Sequence, residues 1–561
     1  MLYAFIPIGA LVGKCLKEFP PVKAYSINIL GSLFGVLLFS ALSYFGFSPV
    51  SCLLVGTLAI LPFLRKKRLH ALLSVLLVCI VASAYLYEEK SNSWKNLWTP
   101  YYNLKVFINP PAPDGSSGGF SAFVNNFFLL SGVPISDDNE VYGLPYRYVR
   151  PERILVLGSG GGNDVAMALS MGASHIDAVE IDPMVFRLGK YLNPQQAYNN
   201  PKVTVYIGDA RNYLKNTQEK YDLVIFGTLD SHGLFSAFSS IKMENFVYTR
   251  ESFEEVKRIL SPQGIIATTV GFDQIWVPLR IYSTMQQVFG KNAIVHLGIS
   301  SLVTVLAGPG MEGKSIQEMS RYKGLSPAAV QDIIAKNPEI SIIPTDDWPH
   351  LFLRKKKLPL EYLKIMGALL LISCFPLVPA LRASKRISTH FFFLGAGFLL
   401  LETKSITELA LTFGSTWITN AVVISSILFV VLLANLYVLR FKPEKYDTWY
   451  TLLLISLVLT YLIPHKSLLA GNPALQVLIS SLFCGLPILF AAMIFAISFS
   501  QVSNSSEALA WNMLGCVIGG LCEYLSLPYG FRFLVLIAIG MYLLSLIDLI
   551  RKKVGEHGLA N

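Results

Sequence analysis

Charge is scarce in this chain. Asp, Glu, Lys and Arg make up 15% of its 561 residues, against about 25% in a typical soluble domain. Apolar residues make up 53%, and the mean hydropathy is +0.51. That balance excludes a wholly soluble protein, a disordered chain and a collagen-like one. Cysteine is sparse as well, with seven residues: Cys15, Cys52, Cys79, Cys374, Cys484, Cys516 and Cys522. All lie in apolar segments and no two have metal-ligand spacing, so they read as small buried hydrophobes. A disulfide scaffold is excluded, no metal is expected, and the redox compartment is not readable from them. No small-residue cleavage site follows the first apolar stretch, so no cleavable signal is expected. The net charge is +10, yet many Lys and Arg cluster beside apolar runs. Positive-inside anchoring accounts for those clusters, and no nucleic-acid partner is expected.

What the chain has in abundance is long apolar runs. A spanning helix needs about 20 mostly apolar residues. Candidate spans fall near 2–16, 24–46, 48–64 and 70–87, then near 359–381, 390–413, 416–440, 449–464, 473–500, 507–526 and 530–550. The tally is about eleven, split around one polar insert. Six segments follow: an N-terminal bundle over 1–90, a small β-strand region over 91–150, an α/β region over 151–310, a linker over 311–358, a C-terminal bundle over 359–552 and a tail over 553–561. Asn28-Ile-Leu30-Gly31-x-x-x-Gly35, with Gly46 beyond, matches Asn512-Met-Leu514-Gly515-x-x-x-Gly519, with Gly530 at the same offset. Glycines four apart share a helix face and let a second helix approach, so the echo reads as an internal repeat.

Charge bias sets an expected topology. Lys14, Lys17, Lys23 and Arg65-Lys66-Lys67-Arg68 fall on one side of the first bundle. Arg382, Lys385, Arg386, Arg440, Lys442, Lys445 and Arg551-Lys552-Lys553 share a side of the second. Calling both sets cytoplasmic in a multi-pass plasma-membrane protein places the insert outside the cytoplasm. Arg354-Lys355-Lys356-Lys357 argues the opposite.

Inside the insert, Arg153-Ile-Leu-Val-Leu-Gly158-Ser-Gly160-Gly161-Gly162-Asn163-Asp164 is a buried strand running into a glycine-rich turn, and Val165–Gly172 reads as a helix. Such glycines let a backbone approach a ligand, and the helix start offers amide donors. Asn163 replaces the third glycine of a dinucleotide fingerprint. The spacing Gly158-x-Gly160-x-Gly162 is instead the form typical of S-adenosyl ligands. Ile176–Asp182 is a second strand, placing Glu180 where a carboxylate accepts both ribose hydroxyls. Val203–Ala210 is a third, placing Asp209 to meet an adenine amino group, and Asp222–Gly227 and Gly264–Val270 are a fourth and fifth. Either acid alone also fits a helix cap. In order on successive strand ends, Gly158, Gly160, Gly162, Glu180 and Asp209 make a nucleoside pocket.

These motifs resemble the spermidine/spermine synthases, aminopropyltransferases with a class I methyltransferase-like Rossmann domain behind a small β-domain. The resemblance covers roughly 95–310, and the whole chain looks like a membrane-embedded, multi-pass branch. It rests on Trp98-Thr-Pro-Tyr101-Tyr102, Val124-Asn-Asn126, Gly158 to Gly162, Val179-Glu180-Ile-Asp182, Gly208-Asp209 and Tyr221-Asp222. Asp230-Ser-His232, Tyr248-Thr-Arg-Glu-Ser252, Thr345-Asp346-Asp347-Trp348-Pro349 and Leu401-Glu402-Thr403-Lys404 look like marks of the membrane branch. The implied fold is a polytopic helical membrane protein carrying an α/β Rossmann insert. The implied donor is S-adenosylmethionine or its decarboxylated form. Three departures stand out. The family's Asp in the glycine turn, which holds the donor's amino group, is Gly161 here. Its proton-accepting Asp after the fourth strand is Gly227, while a second Asp survives as Asp230. The Gln of its Tyr-Gln pair is Gly143.

Aminopropyl transfer needs a bound sulfonium, an amine in line and a proton acceptor. Asp230 and His232 are the candidate catalytic pair, His232 as base with Asp230 orienting it, although a Gly/Ser-rich loop also uses such residues for turns. Lys242 would repel a polyamine, and Tyr248, Thr249 and Ser252 suit a helix cap over about 250–260. In the apolar run, Lys404 and Glu408 share a face and can neutralise each other, Glu402 points elsewhere, and Asn435 and Glu523 suit helix–helix contacts. Two functions follow. One is a membrane-embedded transferase moving an aminopropyl or methyl group to a small-molecule or lipid-borne acceptor. The other is a transporter or non-catalytic component whose insert is sensory or degenerate.

Overall fold

The computed structural model describes residues 2–15, 18–64, 68–91, 93–111, 115, 117–136, 139–229, 245–271, 274–290, 292–298, 301–317, 322–374, 388–463 and 473–558. The chain divides into two compact units. One comprises Met1–Leu37, Lys355–Phe413 and Ile418–Asn561, and the other Leu38–Arg354 with Gly414–Trp417.

Four helices come first: Leu2–Cys15 (α1), Pro21–Tyr44 (α2), Pro49–Ile60 (α3) and Arg68–Ser91 (α4). Proline opens α2 and α3, where the N–H it lacks would have no helical partner anyway. An antiparallel sheet follows, ordered β1 (Lys95–Trp98), β2 (Asn103–Ile108), β3 (Phe120–Val124) and β4 (Phe127–Gly132). Its last hairpin turns at Asn125 and Asn126, with φ of 51° and 67°. A two-residue hairpin turn needs that left-handed pair, and asparagine tolerates it.

A second sheet carries the glycine turn. Its strands are β5 (Arg153–Leu157), β6 (His175–Glu180), β7 (Val203–Ile207), β8 (Tyr221–Gly227), β9 (Leu260–Gly271), β10 (Ala293–Gly298), β11 (Leu302–Ala307) and β12 (Tyr322–Leu325). The spatial order is β12-β10-β11-β9-β8-β5-β6-β7. Strands β5 to β9 are parallel, and β10 to β12 join antiparallel. The helices are α5 (Glu140–Gly143), α6 (Asn163–Ser170), α7 (Pro183–Leu192), α8 (Ala210–Asn216), α9 (Arg250–Ile259), α10 (Trp276–Phe289) and α11 (Pro327–Lys336).

The apolar runs of β5 and β8 are continuous because both faces of the sheet are covered. Leu155, Leu157, Val224 and Phe226 enter one core, and Ile154, Val156, Leu223 and Ile225 enter another. All five expected strands form. The antiparallel extension β10–β12 was not anticipated. From β5 the chain steps to β6 and β7 on one side, then returns to lay β8 and β9 on the other. The break between β5 and β8 is the topological switch point, where open α/β sheets bind ligands.

The remaining helices are Leu360–Cys374 (α12), Thr389–Phe413 (α13), Trp417–Phe441 (α14), Asp447–Leu462 (α15), Pro473–Ser500 (α16), Ser505–Cys522 (α17) and Arg532–Gly558 (α18). Each of the eleven apolar segments contains a helix. Among the described residues, six helical stretches are long and apolar enough to cross a membrane: Pro21–Tyr44, Ala71–Lys90, Trp417–Phe441, Leu478–Ser500, Ser505–Tyr529 and Arg532–Arg551.

The two glycine repeats differ in use. A Cβ at Gly515 would meet the carbonyl of Phe392, and one at Gly519 that of Ala396, so α17 lies directly against α13. At Gly31 and Gly35 a Cβ would meet nothing within 4 Å. The shared spacing therefore serves close packing only in the second copy. Lys404 and Glu408 pair within α13, as their spacing predicts, and the thiol of Cys484 donates to Glu408 at 3.5 Å. Thr403 donates to Glu523 at 3.1 Å, which joins α13 to the segment after α17.

Candidate functional site

The glycine turn leaves β5 with three left-handed residues: Gly158, Gly160 and Gly162 at φ of 70°, 52° and 87°. An L side chain at any of them is strained, which explains the Gly-x-Gly-x-Gly spacing. Gly161 is glycine for a different reason. A Cβ there would collide with the carbonyl of Ser131 and lie 3.1 Å from the amide nitrogen of Gly132. The aspartate that the soluble synthases carry at this place has no room, because the end of β4 occupies it.

Asn163, which replaces the third glycine of a dinucleotide fingerprint, ties the turn to its surroundings. Its amide donates to the Ser131 carbonyl and the Tyr142 hydroxyl, both at 3.0 Å. Its oxygen accepts from Val133 at 3.3 Å and from Asn193 at 3.2 Å.

Glu180 ends β6 beside this turn. Its two oxygens accept the N–H groups of Gly160 at 2.9 Å and Asp182 at 3.0 Å. Burial pushes its carboxyl up to about 7, against the opposing pull of those amides. Asp182 caps α7, accepting from Met184 at 2.8 Å. Asp209 caps α8, accepting from Asn212 at 2.8 Å, and burial raises its carboxyl above the ordinary range. Asp209 is therefore a helix cap, as either acid alone would fit. The cap also holds the carboxylate at the strand-end edge beside Glu180.

Two further features border these acids without being pocket candidates from the sequence. Tyr101, from the β1–β2 connection, lies within electrostatic reach of Asp182, Asp209 and Glu180. Its hydroxyl is pushed upward by burial first and by those three carboxylates next. The turn Gly414–Trp417, which links α13 to α14, supplies the second. The Ser415 N–H donates to Asp209, and the Trp417 backbone N–H donates to Tyr101. Only the aromatic–proline context of Tyr101 was a sequence signal, and none marked Ser415.

Asp164 ends the glycine motif. It stands in the first turn of α6, and burial pushes its carboxyl up to about 7. A Cβ on Gly227 would lie 3.0 Å from its Oδ2. A carboxyl one residue past the third glycine position was the available signal. Asp230 and His232, the expected catalytic pair, and Lys242 lie outside the described residues.

The family-like motifs beyond the pocket interlock. Thr249 caps α9, accepting from Ser252 at 3.3 Å, and its hydroxyl donates to Asp346 at 2.7 Å. Asp346 also receives Arg211 at 3.3 Å, while its own N–H donates to Glu251 at 2.9 Å. The segments Tyr248–Ser252 and Thr345–Pro349 therefore brace α8 directly behind Asp209. Asp222 is structural: it accepts from Glu152 and Arg153, each at 3.1 Å, and from Ser261 at 2.8 Å.

Comparison with known proteins finds relatives of the same region. Residues 133–324 match the spermine/spermidine synthase domain. The polyamine aminopropyltransferase of Sulfurisphaera tokodaii is 35% identical over 147 residues, 25% of this chain and 46% of that protein. That of Vibrio vulnificus is 34% identical over 148 residues, 25% of this chain and 45% of that protein. That of Thermoplasma acidophilum is 29% identical over 144 residues, 25% of this chain and 49% of that protein. The chain thus spans about half the length of the curated relatives it matches. Residues 133–324 are thus similar to the spermine/spermidine synthase domain.

Proposed function

We propose that this protein is a membrane-embedded transferase that binds an S-adenosyl-type nucleoside and passes an aminopropyl or methyl group to an acceptor. The observation that carries the reading is the pairing of Glu180 with the Gly160 amide at the β5/β8 switch point. In this reading Gly158, Gly160 and Gly162 let the ligand approach the backbone. Glu180 accepts the ribose hydroxyls on its free lone pairs, and Asp209 meets the adenine amino group. The relatives named polyamine aminopropyltransferases support the decarboxylated donor. Gly161 weighs toward a donor whose amino group is held elsewhere. Six apolar helices support membrane embedding, and that setting favours a lipid-borne acceptor presented at the bilayer surface.

The transferase reading puts the insert in the cytoplasm, where S-adenosyl donors are made, against the bias of the flanking charges. The second reading, a transporter with a sensory insert, draws on the Lys404–Glu408 pair and the Cys484 thiol inside the helical unit. Ionisable groups in such helices commonly mark solute pathways.

Calorimetric titration of the detergent-purified protein with S-adenosylmethionine, its decarboxylated form and methylthioadenosine tests the pocket. Binding that disappears in Glu180→Ala supports the transferase. No binding at millimolar concentration sinks it. Impermeant thiol labelling of single Cys residues introduced into the insert of intact cells, in a Cys-free background, decides the side. Labelling without lysis would exclude a cytoplasmic enzyme.

A further inference from the structure

Asp164 occupies the space between the ends of β5 and β8. The point where a Gly227 Cβ would stand lies 3.0 Å from Asp164 Oδ2 and 2.9 Å from the Gly158 carbonyl oxygen. Glycine at 227 is therefore what makes room for this carboxyl. Buried carboxylates are normally hydrogen-bonded or paired with a cation. Asp164 has neither kind of partner among the described residues, and desolvation is the one influence on its ionisation. Its side chain nevertheless stays partly accessible.

Among the described residues, four tyrosines feel its charge: Tyr142 of α5, Tyr146 in the turn after it, Tyr198 before β7 and Tyr322 of β12. The Tyr146 hydroxyl is itself buried without a partner among the described residues. A reachable carboxyl at the switch point with no cation beside it among the described residues suits a ligand that carries positive charge.

We propose that Asp164 faces the sulfonium end of the bound donor and accepts the proton released by the attacking amine. This rests on the nucleoside-pocket reading above. In the step, the amine nitrogen forms a bond to the carbon attached to sulfur. The carbon–sulfur bond breaks, its electron pair leaves on sulfur as a neutral thioether, and the amine N–H proton passes to the Asp164 carboxylate. The positive sulfonium and the negative carboxylate both end neutral, so charge and atoms balance. A carboxyl held near 7 by burial suits a base at neutral pH.

Calorimetry of the full-length protein at pH 7, run in two buffers of different ionisation enthalpy, counts the protons exchanged on binding. Decarboxylated S-adenosylmethionine should expel about half a proton more from the wild type than methylthioadenosine does, because its cation favours ionised Asp164, while any contribution from Glu180 at the ribose is common to both ligands. Asp164→Asn should bind methylthioadenosine within about twofold of the wild type and show no such excess with the sulfonium. An unchanged excess in that variant, or none in the wild type, overturns the assignment. If Asp164→Asn does not fold, Gly227→Ala replaces it, since its methyl crowds Oδ2 while leaving the charge. Release identical to wild type in Gly227→Ala then counts against the proposal. Failure of the pocket itself looks different: no adenosyl ligand binds the wild type, or Glu180→Ala binds it equally well.

Discussion

The backbone N–H of Ser415 donates to the carboxylate of Asp209. A residue from the turn between two apolar helices thus engages the acid assigned to the nucleoside base. Gly414 makes the approach possible: at φ 94° it sits so close that an added Cβ would lie 2.8 Å from Asp209 Cβ and 3.2 Å from Asn212 Cβ. Trp417 completes the turn, its ring 6.0 Å from that of Tyr44.

Gly414→Ala should therefore destabilise the protein by about 1–3 kcal/mol, the sum of left-handed strain and overlap. Gly35→Ala, with open space around it, should change stability by less than about 1 kcal/mol and favour its helix. Thermal melts of the two variants in the same detergent check this. Equal melting points would contradict the packing of the turn.

Restoring the family's aspartate by Gly161→Asp should not restore family behaviour. The new Cβ meets the Ser131 carbonyl and the Gly132 amide, so a cost of roughly 2–4 kcal/mol is expected, with loss of any adenosyl binding. A well-folded Gly161→Asp protein with improved affinity for the decarboxylated donor would show that the end of β4 yields.

Arg280 is fully buried and donates to four carbonyls, those of Leu351 and Leu353 at 2.7 Å, Glu339 at 2.7 Å and Arg354 at 2.9 Å. Lysine offers three donors from one point and cannot reproduce that fork. Arg280→Lys should lower stability by about 2–4 kcal/mol and loosen the segment 339–354, read as faster amide exchange there. Unaltered exchange would mean that other contacts hold the segment.

Two buried groups set opposite pH trends. His296 accepts from Tyr148 at 2.8 Å, because that hydroxyl also accepts from Gln317 and so has its proton free to donate. Burial lowers the imidazole to about 4. The unfolded chain then gains a proton near 6.5 that the folded one refuses, so stability present above 6.5 is lost as pH falls toward 4. His296→Gln should flatten that acid limb in melts taken from pH 7 to 4.

Asp164 works the other way. Its folded pKa of about 7 lies above the unfolded value of 3.8, so the unliganded protein loses stability as pH rises between them. Asp164→Asn should raise the melting point above pH 7 and leave it unchanged below about pH 4, with about 4 kcal/mol as an upper bound. A constant difference across that range would place the effect in packing.

Apolar run length marked eleven segments that each contain a helix, but only six described stretches are long and apolar enough to cross a membrane. The continuous apolar strands and the Gly158, Gly160 and Gly162 spacing likewise determined a parallel sheet and its ligand turn, since both follow from local backbone sterics and two-faced burial. Glu180 and Asp209 were legible as strand-end acids for the same reason. Their partners were not. That Gly161 is closed off by β4, that Ser415 reaches Asp209 and that Gly227 opens space for Asp164 are contacts between residues far apart in the chain. Hydropathy and motif spacing describe neighbours along the backbone. Only the folded packing decided which of these distant atoms meet.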